Sequence, residues 1–127
     1  MALYVLLLML GFQIKHFLAD YTLQRPFMFA GKGDLRALGG YAHAAVHIAG
    51  SLIVLLVAGV GLLLIAGLLA AEFVIHYAVD YTKYHLSDDV RIDTRPALFW
   101  AQHGFDQMLH HFTYAGMIAV VLISAGT

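Results

Sequence analysis

Cysteine is absent from the 127 residues, which excludes disulfides and thiolate metal sites. Proline occurs only at positions 26 and 96, so long stretches run without a helix breaker. Charge is scarce as well. Asp, Glu, Lys and Arg make up 12% of the chain, against roughly 25% in an average soluble domain. Seven basic and eight acidic side chains nearly cancel, which leaves no electrostatic footprint for nucleic acid. No internal repeat, low-complexity tract or linker divides the sequence, so a single domain covering 1–127 is expected.

Apolar residues are what the sequence has in excess. They account for 61% of it, and the positive mean hydropathy reads as an integral membrane protein. A bilayer core takes about 20 apolar residues per helix, and four segments qualify, at about 2–20, 40–60, 62–84 and 96–124. The first, MALYVLLLMLGFQIKHFLAD, lacks the basic start and small-x-small site of a signal peptide and is read as a retained helix. The short GVG at 59–61 is the expected turn between the second and third spans, and Pro96 suits the first turn of the fourth. The expected fold is therefore all-α, an integral membrane four-helix bundle. Small residues in GSLIVLLVAGVGLLLIAGLLAA (50–71) permit close packing within or between chains, which does not by itself indicate a homo-oligomer.

Two polar loops, at 21–40 and 85–95, fall on the same side of such a bundle. Every Lys and Arg lies on that side or just inside it, while the termini and the GVG turn carry no charged side chain. The positive-inside rule makes the loop side cytoplasmic and both termini extracytoplasmic. The membrane would be a bacterial inner membrane.

The ionisable residues converge at that end. His16 and Asp20 close the first span, and His43 and His47 open the second. Glu72, His76 and Asp80 close the third, and His103, Asp106 and His110 open the fourth. Spacings of four put each group on one helix face, and lipid forces such a stripe toward the interior. Gln13 and Gln107 fall on the same stripes. An Asp at the centre of a membrane helix costs about 2.5–3.5 kcal/mol on the insertion scale. A bound cation offsets that cost, because carboxylates and neutral imidazoles become its ligands. The expected metal ligands are His16, His43, His47, His76, Asp80, Asp106 and His110, with Glu72 or Asp20 as general base. Mixed nitrogen and oxygen donors suit zinc first, then iron or manganese, and their number allows one or two divalent ions.

Other readings compete. A metal-free network of hydrogen bonds and ion pairs would use the same residues. A proton path is disfavoured because the opposite half of each span offers almost nothing polar, and haem would leave the carboxylates unexplained. His85, Asp88, Asp89 and Asp93 read as solvated loop residues, and His111 points away from His110. Tyr77, Tyr81, Tyr84, Phe99 and Trp100 suit an interfacial belt. Lys83 reads as a snorkelling lysine or the partner of Asp80.

Four blocks, HFLADYTLQ (16–24), AHAAVH (42–47), EFVIHYAVDYTK (72–83) and FDQMLHH (105–111), resemble those of a small bacterial membrane family. It is known as domain of unknown function 3307. The resemblance covers nearly the whole chain and implies the fold and the site but no reaction. In residue types and placement the chain is also similar to membrane-bound metal-dependent hydrolases. The Glu-x-x-His pairs of soluble di-iron bundles are replaced here by Glu72-x-x-x-His76. His43-x-x-x-His47 and His110-His111 resemble the histidine boxes of membrane desaturases and hydroxylases, although the HxxHH boxes are missing. A metal-dependent hydrolase acting on a lipid or lipid-linked phosphate at the cytoplasmic interface is the leading expectation. A di-iron oxidoreductase and a non-enzymatic module stapled or sensing through metal are the alternatives.

Overall fold

The computed structural model describes residues 1–87 and 90–126; Asp88 and Asp89 lie outside the described residues. Helix α1 (Ala2–Phe17) continues through a π-helical turn, Leu18–Thr22, and is followed by the short α2 (Pro26–Ala30). Three long helices complete the fold: α3 (Leu38–Val57), α4 (Leu62–Leu86) and α5 (Pro96–Ala125). Proline occupies the first turn of both α2 and α5, where its missing N–H costs no hydrogen bond. Four helices are long and apolar enough to cross a membrane: Ala2–Thr22, Leu38–Val57, Leu62–Leu86 and Pro96–Ala125.

The turn after α3 shows how local sequence stops one span and starts the next. Gly59 has φ +73°, the left-handed region that a Cβ disfavours. The Gly59 N–H donates to the Leu56 carbonyl at 3.0 Å, and the Val60 N–H to the Leu55 carbonyl at 3.1 Å. These two bonds form a Schellman cap, which satisfies carbonyls that would otherwise be left bare in lipid.

The four long helices form a ring in which sequence neighbours pack together. Helix α1 packs on α3 and α5, and α4 also packs on α3 and α5, so α1 faces α4 across the diagonal. Outward-facing apolar side chains stand free, Leu63 at 90% and Val57 at 85% exposure, as expected of a surface covered by lipid rather than water. The interior is divided. Toward the α3–α4 turn the core is apolar, built on Leu8, Phe12, Leu55, Ile65, Leu68, Met117 and Val121. Phe12 stacks on Tyr114 at the lower edge of this core, with ring centroids 5.3 Å apart. Toward the loops the buried side chains become polar: Lys15, His16, His43, His47, Glu72, His76, Asp80, Asp106 and His110.

This polar half reaches deeper than the helix ends. Glu72 is ten residues from Leu62 and fourteen from Leu86, or about 15 and 21 Å at 1.5 Å per residue. It therefore sits mid-helix, where the insertion cost of a bare carboxylate is greatest.

Candidate metal centre

Asp20 is aimed inward by the π-helical turn, a feature often found at functional sites. Its Oδ1 lies 2.9 Å from His47 Nε2 and 3.2 Å from His43 Nε2, and its Oδ2 lies 3.2 Å from His16 Nε2. On the other side of the ring, Asp80 Oδ2 lies 3.4 Å from both His43 Nε2 and His76 Nε2, and Oδ1 lies 3.4 Å from His110 Nε2. The imidazoles lie in a column: His47 and His76 are tilted with centroids 3.9 Å apart, and His76 and His110 stack at 4.2 Å.

Several of these close approaches are not hydrogen bonds. The Nε2 atoms of His43 and His76 and Oδ1 of Asp106 are buried without a hydrogen-bond partner, although each has an oppositely disposed donor or acceptor nearby. Their spacing matches a different arrangement. Metal–ligand bonds of about 2.0–2.1 Å in a tetrahedron place neighbouring donors about 3.3–3.4 Å apart. The contacts of His43, His76 and His110 with Asp20 and Asp80 run from 3.2 to 3.4 Å. His47 differs, since its Nε2 is hydrogen-bonded to Asp20.

Two sets of donor atoms lie within 4.8 Å of one another: Asp20, His43, His47 and His76, and His76, Asp80 and His110. His76 belongs to both. One imidazole nitrogen binds one ion, so the sets divide naturally into Asp20–His43–His47 and His76–Asp80–His110. In this division each triad would offer three donors, whereas His76 counted with the first set would complete a four-donor shell.

The charge balance points the same way. Each of the three buried carboxylates carries a lysine, and the half-buried Asp20 makes a fourth acid at the site: Glu72 pairs with Lys15 at 2.5 Å, Asp80 with Lys32 at 2.9 Å and Asp106 with Lys83 at 2.7 Å. Among the described residues Asp20 is the exception, meeting only histidines and Gln107. With neutral imidazoles, four carboxylates against three ammonium groups would leave one negative charge, which either an imidazolium or a bound cation would offset. Burying an uncompensated charge costs several kcal/mol, and a cation among the histidines would remove that cost.

The surrounding groups fix orientation. Gln107 donates from Nε2 to Asp20 Oδ2 at 3.0 Å and to Asp106 Oδ2 at 3.2 Å. Its Oε1 is thereby turned to His16 Nε2, 2.7 Å away. His16 must then carry its proton on Nε2 and accept from Tyr114 Oη at Nδ1, 2.9 Å away. Both ring nitrogens are occupied, and His16 stands outside both donor sets.

The other anticipated residues are placed as follows. Asp20, anticipated as a base, stands among the ligand donors. Asp106 is outside the two sets, its Oδ1 3.3 Å from His110 Nε2. Glu72 faces Lys15 across the diagonal, and its Oε2 has no hydrogen-bond partner. Lys83 pairs with Asp106 and not with Asp80, because Lys32 reaches in from the loop to take Asp80. His103 stays at the rim, 3.3 Å from Tyr21 Oη and 3.4 Å from Lys83 Nζ. His85 lies on the surface against the Gly33 carbonyl, and Asp93 is paired with Arg91. His111 packs on His16 with centroids 5.0 Å apart but joins neither donor set.

Lys15 and Tyr114 were not anticipated. Lys15 Nζ lies 3.4 Å from His47 Nδ1 and 4.2 Å from the Tyr114 ring centroid. Its stem passes against Gly50, where a Cβ would stand 3.1 Å from the Lys15 Cβ. Gly50 thus opens the lane by which the lysine crosses toward α4.

A cavity of about 500 Å³ opens above the donors, with Asp20, Asp80 and Asp106 on its floor and Lys32, Lys83 and His103 around its mouth. The family described as "Protein of unknown function (DUF3307)" matches residues 5–126. No curated protein and no solved structure matches the chain.

Proposed function

The chain belongs to the DUF3307 family, and we propose that it is a metal-dependent hydrolase of lipid or lipid-linked phosphates in a bacterial inner membrane. The observation that carries this reading is the two donor sets that meet at His76, with buried nitrogens of His43 and His76 that have no hydrogen-bond partner. Zinc is the expected ion, and iron or manganese also accept this nitrogen–oxygen set. Divalent ions held there would acidify water and polarise a phosphoryl oxygen.

The residues of the chain take distinct parts. Asp20, His43 and His47 would hold one ion, and His76, Asp80 and His110 the other. His16, Gln107 and Tyr114 are positioning residues that orient Asp20, as outer-shell partners do in metal sites. Asp106, buried at the cavity floor with Oδ1 free of hydrogen bonds, is the proton acceptor, in place of Glu72, which is held by Lys15. In the reaction a water oxygen bonds to phosphorus and the phosphorus–oxygen bond to the lipid alcohol breaks. The proton taken by Asp106 passes to the departing oxygen. Lys32 and Lys83 face the phosphate oxygens. The Lys and Arg residues of the two loops support a cytoplasmic cavity with both termini outside.

Elemental analysis of the purified protein, followed by phosphate-release assays before and after chelation, tests the proposal. Two divalent ions per chain, with hydrolysis lost on chelation and restored by metal, are expected. Protein without stoichiometric metal whose stability is unchanged by chelator would refute it.

A further inference from the structure

A second cavity lies on the outer surface of the bundle, between α4 and α5, with a volume of about 400 Å³. Its walls are apolar: Val74, Ile75, Ala78 and Val79 from α4, and Phe105 and Leu109 from α5. Val74 and Phe105 are 66% and 58% exposed, so this groove opens sideways to the bilayer. Its size falls within the range of about 300–1,000 Å³ typical of ligand sites.

The groove shares a wall with the polar cavity. Lys83, Ser87, Gln102 and Asp106 line both. The Lys83–Asp106 ion pair therefore stands on the ridge between them, with the Lys83 side chain 33% exposed. Lipid-facing apolar walls, an ammonium group and the donor triads thus follow one another across this part of the bundle. Amphiphiles have the same order of chemistry, a hydrocarbon chain joined to a charged head.

Resting on the proposed hydrolase reading, we infer that the α4–α5 groove seats a hydrocarbon chain of a phosphate-bearing lipid, entering sideways from the bilayer, with its head group beside Lys83. The charge selects the head: Lys83 and Lys32 stand beside Asp106 and Asp80, so with the proposed cations bound the cavity favours an anion. The walls select the chain only by being apolar, so chain chemistry is read weakly and the head strongly. A soluble phosphate ester meets only the polar half of this arrangement.

The experiment uses the full-length protein in phosphatidylcholine nanodiscs doped with phosphatidic acid carrying a photoreactive acyl chain. Cross-links should map to residues 74–86 and 102–109. Diacylglycerol with the same photoreactive chain should label these segments weakly. Lys83→Met should reduce phosphatidic acid labelling by about fivefold, the effect of one basic residue at a membrane surface. Ala78→Trp, which fills the groove from a lipid-exposed position, should abolish labelling there. Leu63→Trp, equally exposed to lipid on the opposite half of α4, should not.

Labelling spread evenly over the four helices, equal labelling by diacylglycerol, or a groove cross-linked to a second copy in place of lipid would overturn the inference. Activity separates it from the hydrolase reading. In Ala78→Trp, turnover of a soluble phosphate monoester should persist while turnover of the lipid phosphate falls. If both substrates are turned over as in the wild type, the groove has no part in substrate entry although the hydrolase stands. If the protein is inactive and metal-free, the labelling pattern still decides the groove by itself.

Discussion

Replacing Lys15 by Met removes the ammonium from Glu72 while keeping a side chain of similar length along Gly50. Glu72 is 1% exposed, and its Oε2 already has no hydrogen-bond partner. The substitution would leave both of its oxygens unsatisfied in the middle of a membrane helix. Removing one partner of a buried pair costs about 3–5 kcal/mol, so the single variant should be destabilised by about that amount. Glu72→Gln should cost less, because the ammonium keeps the His47 carbonyl and the face of Tyr114. The double variant removes both charges and should return to within about 1–2 kcal/mol of the wild type, since neutral replacements of buried pairs are often harmless. Reversible unfolding in dodecylmaltoside–SDS mixed micelles, followed by helical circular dichroism, gives the three differences and their coupling. A double variant that loses the sum of the two single effects would show that Lys15 and Glu72 do not act as a pair.

The metal assignment predicts that His47→Gln and His76→Gln each lower metal content by about one ion per chain, because each histidine belongs to one triad; elemental analysis of the variants reads this directly. Asp106→Asn should retain its metal and lose phosphate release, and loss of metal instead would make Asp106 a ligand. Gly59→Ala should destabilise by about 1–2 kcal/mol through its left-handed φ, whereas Gly67→Ala, in open space within α4, should be neutral or stabilising; thermal midpoints of the two proteins make the comparison. A reporter joined after the C-terminus should read as extracytoplasmic, and a cytoplasmic signal would invert the proposed topology.

Much of this arrangement is legible in the sequence because lipid imposes simple rules. Apolar run length marks the four helices, and GVG marks the turn that Gly59 makes. Spacings of four put His43 with His47 and His76 with Asp80, and alternation of the spans brings those stripes to one end. What spacing along a helix does not reveal is contact between helices. Lys15 has no ionisable partner one turn away on its own helix. Its partner is Glu72, 57 positions later and diagonally opposite. Lys32 sits in a polar loop that looks solvated, yet it reaches Asp80. Ranking His16 among the ligands follows from its i, i+4 relation to Asp20. Only the hydrogen bonds of Gln107 and Tyr114 show that its nitrogens are already engaged. The π-helical turn likewise has no signature in LADYT itself.

That turn separates two tasks that a regular helix would bind together. Up to Phe17, the rotation of α1 about its own axis is set by Phe12 in the apolar core and by Gly50 beside Lys15. From Leu18 onward the wider winding changes the angle at which side chains leave the axis. The direction of Asp20 can thus be altered within five residues while the membrane-embedded body of the helix keeps its seat. Selection has there an adjustable joint, able to re-aim a carboxylate without repacking the bundle that holds it.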